Sequence, residues 1–417
     1  MSGTPSGRVP GDASRTLSPA LLNAGLLALS VLLVSVLAEV SLRWLYPHSD
    51  QYFVLAANQE LVQSPSQRYV TGVEGTSEYH TSSWGIRGEE FGPDDAEYRI
   101  LAVGGSTTQN LYLDQTETWT LLFGELLGPT NAGLRTWTGD VGTSGRTARS
   151  HVLQMRYLLP QLPRTDAVVS LVGVNDLTAA LRQGFDYEPP PSLDDPAAER
   201  EQFAQAFLRV PGRIHDRLPQ YWEADVPWFK RLAVYQLARV VKMSIDQARS
   251  GLNQDPFGEI YVSWRQNRAG ASEMIDSLPD LRRPIAEYRG YLEEMAVIAR
   301  EHDARLVLLT QPTLWRDDLN AEEEAAIWLG GTGDFQEVPG QPYFTAAALR
   351  TAMEAYNRTL LEVCAAGLAE CFDLASVLPK DLSIFYDDVH FTELGSRLVA
   401  EHLAQYFGSL PPYAPGN

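Results

Sequence analysis

An α/β layered domain with a mainly parallel sheet of about five strands is the fold this sequence predicts. Three observations carry it. Short apolar runs recur at Arg99–Val103, Ala167–Val172 and Arg305–Thr310, each flanked by turn residues, as buried parallel strands are. Helical patterns lie between and after them, at Thr118–Leu127, Ser150–Leu159, Pro284–His302, Thr345–Ala365 and Thr392–Phe407, and such alternation builds parallel sheets. With 417 residues and 44% hydrophobic composition, the chain can bury a full core. Weaker strands are expected at Thr136–Val141 and Glu370–Leu374.

The first residues are a different kind of chain. Residues 1–17 are rich in Ser, Gly, Pro and Arg and read as a disordered tail. From Leu21 to Ala38 the only strongly polar residues are Asn23, Ser30 and Ser35, and at ~1.5 Å per residue this run covers ~27 Å, close to the hydrocarbon thickness of a bilayer. Arg43, Trp44 and Tyr46 follow as an interfacial belt, while Arg8 and Arg15 precede it. That asymmetry puts the N-terminus in the cytoplasm and the rest outside. Residues 18–46 are therefore expected to be a transmembrane anchor, and residues 47–98 a polar lead-in to a domain over 99–417. A signal peptide cut after Ala38 is the alternative, although its apolar region would span only ~7–15 residues.

Residues 178–282 break the alternation. They open with Pro189-Pro190-Pro191, restart a helix at Asp195-Pro196 and carry Trp222, Trp228, Phe229 and Tyr235, so they are expected to form a helical cap or binding insertion. Within Trp228–Arg249, the apolar Phe229, Leu232, Leu237 and Val241 mix with Lys230, Arg231, Arg239 and Lys242. A cap helix with a solvated basic face and a membrane-surface helix both fit, the former being commoner.

Composition excludes several classes. The balance of 33 Lys plus Arg against 53 Asp plus Glu leaves a net charge of -20, which repels a phosphate backbone and argues against nucleic acid as a partner. Two cysteines, Cys364 and Cys371, rule out a disulfide framework and a multi-Cys metal site. One bridge in an oxidising compartment and two buried thiols both stay open. His48, His80, His151, His215, His302 and His402 have no neighbours at metal-ligand spacing, so no metal or other cofactor is expected.

Ester hydrolysis at a serine needs an exposed hydroxyl at a strand end, a base within reach, a group that orients the base, and donors aimed at the developing oxyanion. The run Arg99–Val103 leads straight into Gly104-Gly105-Ser106-Thr107-Thr108. Ser106 would then open the following helix at the carboxyl end of the sheet, although serine is also an ordinary N-cap. The α/β-hydrolase elbow G-x-S-x-G is not present, since Thr108 stands two residues after Ser106. Gly142-Thr143-Ser144-Gly145 follows the weak second strand, Gly173-Val174-Asn175-Asp176 follows the third, and Asp387-Asp388-Val389-His390 precedes the last helix.

This ordered series resembles the SGNH (GDSL-like) hydrolase family, whose blocks GDS, G, GxND and DxxH supply nucleophile, oxyanion glycine, oxyanion asparagine and an Asp/His pair. The resemblance covers residues 99–178 and 283–408 and implies a three-layer α/β/α, flavodoxin-like domain. It makes Ser106 the nucleophile, His390 the base and Asp387 its orienting acid, with Asp388 as the rival for that last role. Its oxyanion hole is the N–H groups of Ser106 and Gly145 and the side-chain amide of Asn175. Asn175 could instead cap the next helix, a task that suits Asp176 better. Gly105 stands where the family has Asp, and Gly-Gly-Ser-Thr-Thr with Gly85-Ile86-Arg87-Gly88 upstream looks like a variant of exported, anchored members. Arg87 is read as a structural ion-pair residue, with an anionic substrate as the alternative.

The expected function is a serine-dependent ester hydrolase of the cell envelope, acting on a glycan acyl ester such as acetate, a lipid or a small ester. Acyl transfer to a sugar hydroxyl would use the same triad. A non-catalytic scaffold or glycan-binding module that keeps the fold is the reading from another class.

Overall fold

The computed structural model describes residues 18–45, 52–55, 57–207, 229, 232–235, 237–238 and 257–414. The expected tail 1–17, Tyr46, His48 and His215 lie outside the described residues, as do Trp222, Trp228, Lys230, Arg231, Arg239, Val241 and Lys242. The chain divides into two compact units, residues 51–211 with 246–417, and residues 1–50 with 212–245.

In the larger unit six strands form one sheet: β1 (Arg87–Gly88), β2 (Glu97–Gly104), β3 (Arg135–Asp140), β4 (Ala167–Leu171), β5 (Arg305–Leu309) and β6 (Glu370–Phe372). Their order is β6-β5-β4-β2-β3-β1. The five strands β2 to β6 run parallel, and β1 pairs antiparallel with β3 at the edge. Burial explains the strength of each sequence signal. β2 and β4 are buried along their whole length and read as continuous apolar runs, as strands covered on both faces do. β3, Arg-Thr-Trp-Thr-Gly-Asp, is exposed at its start and covered on its outer edge only by the two-residue β1, so its sequence carries polar residues.

The helices fall into two groups. Trp119–Leu127 and Glu393–Gly408 pack on each other, with the rings of Phe123 and Phe407 5.0 Å apart edge-on. Ala148–Leu158, Arg282–Glu301 and Ala346–Ala365 form the second group, which completes three layers, α/β/α. Tyr288, Leu292, Met295 and Ala299, and likewise Leu349, Met353, Tyr356 and Leu360, are buried at helical spacing, and each large apolar side chain so buried stabilises the fold by about 1.5–3 kcal/mol. The last two helices are started by Thr345 and Thr392, whose hydroxyls accept from the N–H groups of Ala348 and Gly395.

Apart from β1, the parallel strands lie in the order second, first, third, fourth, fifth along the chain. That is a doubly wound sheet whose winding reverses between β2 and β4, the crevice where such folds place their sites.

Residues 52–98 are more than a lead-in. Phe53, Val54 and Leu55 are buried, Glu60–Gln63 pairs antiparallel with Ser77–His80, and β1 extends the main sheet. Arg87 is fully buried and stacked over the Tyr79 ring at 4.4 Å. Its donors go to Gln115 Oε1 and to the carbonyls of Gln109, Asn110 and Leu113, so its role is structural but is met by carbonyls in place of the expected ion pair. Cys364 and Cys371 form a disulfide with Cα atoms 5.8 Å apart, joining the end of helix Ala346–Ala365 to β6.

In the smaller unit, helix Pro19–Leu45 contains the stretch Leu22–Leu45, long and apolar enough to cross a membrane. Near its end Glu39 pairs with Arg43 and accepts the N–H groups of Ala233 and Val234. The described residues of the expected cap helix, 229, 232–235 and 237–238, belong to this unit, with Phe229, Val234, Tyr235 and Leu237 exposed.

Candidate active site

β2 delivers Ser106 to the crevice. The strand ends at Gly104 and the chain turns at once into the short helix Ser106–Gln109, whose first residue is the serine. Thr107 and Thr108 are buried, and the Trp119 indole donates to the Thr107 carbonyl at 2.9 Å. The turn is thereby held against the core while Ser106 stays partly open to the cavity.

His390 reaches Ser106 from the other end of the domain. Its Nε2 lies 2.7 Å from Ser106 Oγ, and its Nδ1 lies 2.7 Å from Asp387 Oδ2. A carboxylate only accepts, so Nδ1 carries the proton there and Nε2 is left to accept from the serine hydroxyl. The three-residue spacing works through a local turn. Asp387 Oδ1 accepts the N–H groups of Val389 and His390, which sets acid and imidazole side by side. The Tyr386 ring stacks on the imidazole at 5.5 Å, and Tyr261 meets its edge at 6.0 Å.

The two adjacent aspartates face different partners. Asp388 Oδ1 accepts the Trp315 indole N–H, and its Oδ2 accepts the backbone N–H groups of Trp328 and Leu329. It makes no bond to His390, so Asp387 is the carboxylate that touches the imidazole. Their acidities diverge accordingly. Burial pushes Asp387 up, but the charge and hydrogen bond of His390, the Val389 N–H and the Trp328 indole outweigh it and hold the group below the usual range. Asp388, raised by burial and by the neighbouring Asp387 charge, is pushed up to about 6.

Gly145 lies in the loop after β3, with φ +75°, a backbone conformation that favours glycine. The loop is tied on several sides: Gly142 N–H donates to Asp140, Thr143 N–H to the Gly104 carbonyl, and Ser144 N–H and hydroxyl to Gln109 Oε1. Asn175 follows β4, and its Nδ2 donates to the Arg146 carbonyl at 2.8 Å. An amide carries two hydrogens, and the second finds no acceptor among the described residues. Asp176 is a cap, but of a neighbouring helix: its oxygens accept the N–H of Ala148 at the start of Ala148–Leu158.

Ser106, Gly145, Asn175 and His390 line one cavity of about 300 Å³. Its aromatic wall is Tyr261, Trp264, Trp328 and Phe335, with the rings of Trp264 and Trp328 4.3 Å apart. Tyr261 and Trp264 do come from the 178–282 insertion, yet sequence reasoning had singled out other aromatics there. Trp328 was missed altogether, because no local spacing links it to a residue 59 positions away.

No protein-family model and no curated protein matches the chain. Among solved structures, it is similar to a lipolytic protein of the G-D-S-L family from Veillonella parvula, with 10% identity over 75% of this chain and 100% of that one, TM-score 0.38. A putative lipolytic protein of the same family from Desulfitobacterium hafniense gives 8% identity over 74% and 98%, TM-score 0.34. An acetylxylan esterase from Geobacillus stearothermophilus gives 11% identity over 76% and 97%, TM-score 0.36.

Proposed function

We propose that this chain is a serine-dependent ester hydrolase of the cell envelope, held by its N-terminal helix with the α/β unit on the outer side of the membrane. Ser106 is its nucleophile, His390 its base and Asp387 the acid that orients the base. One observation carries this reading: the unbroken chain of two 2.7 Å hydrogen bonds from Ser106 Oγ through the imidazole to Asp387. A serine hydroxyl is a poor nucleophile until a base accepts its proton, and an imidazole locked in one tautomer by a carboxylate is such a base.

In the reaction, Nε2 takes the hydroxyl proton as Oγ attacks the ester carbonyl. The carbonyl oxygen becomes an oxyanion, received by the N–H groups of Ser106 and Gly145 and the second amide hydrogen of Asn175. Ser106 begins its helix, where backbone N–H groups have no intrahelical acceptor. Collapse expels the alcohol, protonated by His390, and leaves an acyl-serine. Water, deprotonated by the same imidazole, then releases the acid and restores the hydroxyl. A cavity of about 300 Å³ suits a small acyl group such as acetate.

The test combines fluorophosphonate labelling with hydrolysis of p-nitrophenyl acetate against longer-chain esters. Labelling that Ser106→Ala abolishes, with turnover fastest on the shortest ester, is the expected result. Turnover that survives Ser106→Ala would overturn the proposal.

A further inference from the structure

Asp387 has more partners than a triad requires. Its Oδ1 accepts the Val389 and His390 N–H groups at 3.0 and 2.9 Å. Its Oδ2 accepts His390 Nδ1 at 2.7 Å and the Trp328 indole Nε1 at 2.9 Å. Asp387 is fully buried. The next residue grips the same tryptophan from behind, since Asp388 Oδ2 accepts the Trp328 backbone N–H at 2.6 Å. Two consecutive aspartates therefore hold Trp328 by its side chain and its main chain, and its ring forms a wall of the cavity that Ser106 opens into.

We infer that Trp328 is a positioning residue for the triad: its indole N–H fixes the Asp387 carboxylate and limits how strongly that carboxylate attracts the imidazole proton. This rests on the reading of Ser106, His390 and Asp387 as nucleophile, base and orienting acid. Oδ2 divides its negative charge between two donors. With the indole donor gone, Oδ2 turns fully to His390 Nδ1–H, stabilises the protonated imidazole and raises the pH at which the base becomes available. The carboxylate also loses one of the four donors that fix it, so fewer imidazoles point Nε2 at Ser106. A tryptophan of purely structural value would do neither. Its loss would reduce the amount of folded enzyme and leave the pH dependence of the survivors unchanged.

The test uses the full-length chain in detergent, with kcat and KM for p-nitrophenyl acetate followed across the acid limb of the pH profile. Trp328→Phe keeps a ring in the wall but removes the donor. The acid limb of kcat/KM should move up by about 0.5–1 pH unit, and plateau kcat should fall about tenfold. Trp264→Phe is the control, because Trp264 stacks on Trp328 without a bond to the triad. It should change KM and leave the acid limb in place. If Trp328→Phe does not fold, benzothienylalanine incorporated at position 328 keeps the bicyclic shape, replaces the N–H by sulfur and should give the same shift. An acid limb that stays put in an active donor-less variant overturns the role of Trp328. Failure of fluorophosphonate to label the parent chain at Ser106 would overturn the serine reading beneath it.

Discussion

A Cβ built on Gly105 would lie 2.4 Å from Nδ2 of Asn175, so the amide occupies the space that any side chain at position 105 would need. With Gly105→Ala, the methyl group and the amide cannot both stay. Asn175 is displaced, together with its bond to the Arg146 carbonyl. We expect kcat to fall by about 10–10² with KM little changed, because the lost contact is made mainly to the developing oxyanion. Asn175→Ala removes the donor outright and should cost about 10²–10³ in kcat. A Gly105→Ala enzyme with parental kcat would show that Asn175 does not serve the oxyanion.

The sheet was legible because its central strands are covered on both faces and so leave continuous apolar runs. β1 was not, since two residues carry no periodicity and the strand exists only where Arg87 and Gly88 meet Asp140 and Gly139. Ser106, His390 and Asp387 could be picked out because each sits at a strand end or helix start in a short motif. The aromatic wall could not. Tyr261 and Trp264 share one helix, Ile260–Ala269, but Trp328 and Phe335 reach the same cavity from a segment far along the chain, and nothing local in the sequence joins the two. The lead-in 47–98 looked peripheral because its apolar residues are scattered among Ser, Gln and Tyr, whereas its described part, residues 52–98, bonds to the domain that follows.

Asp140 makes stability depend on pH. Fully buried, it is pushed up to about 7, chiefly by desolvation, which outweighs the Arg87 charge and the hydrogen bonds from Gly142 and Thr120. The folded chain therefore keeps this proton while an unfolded aspartate releases it near its ordinary pKa of about 3.9. The unfolded state then binds fewer protons, so this group's contribution to stability is lost as pH rises from about 4 to 7. In Asp140→Asn that contribution should vanish, and the difference in thermal midpoint between variant and parent should change steadily over that range. A constant difference would show that Asp140 is already ionised in the folded state.

Helix Pro19–Leu45 should keep the chain with membranes. Leu22, Leu26, Leu29, Leu33 and Leu37 are all exposed, a surface that water would oppose and hydrocarbon would favour. The protein is expected to pellet with membranes through a carbonate wash, and protease added outside the cytoplasmic membrane should reach residues 52–414. A soluble product beginning at Glu39 would identify a cleaved signal peptide instead.

The adjacent Asp387 and Asp388 should fail in different ways. In Asp387→Asn the side chain can present an N–H to His390 Nδ1, which favours the tautomer whose Nε2 bears the proton and cannot accept from Ser106. By analogy with loss of the carboxylate in other serine triads, kcat should drop by about 10⁴ while the fold survives. Asp388 touches no part of the imidazole. Its oxygens accept the Trp315 indole and two backbone N–H groups, and an amide nitrogen placed there must turn a donor toward a donor. Asp388→Asn should therefore act first on stability, costing about 1–3 kcal/mol for an unsatisfied buried group, with a smaller loss of kcat transmitted through Trp328. The two variants separate cleanly if thermal unfolding and turnover are measured on the same preparations. Should Asp388→Asn lower kcat more than Asp387→Asn does, the orienting acid would have to be reassigned to Asp388.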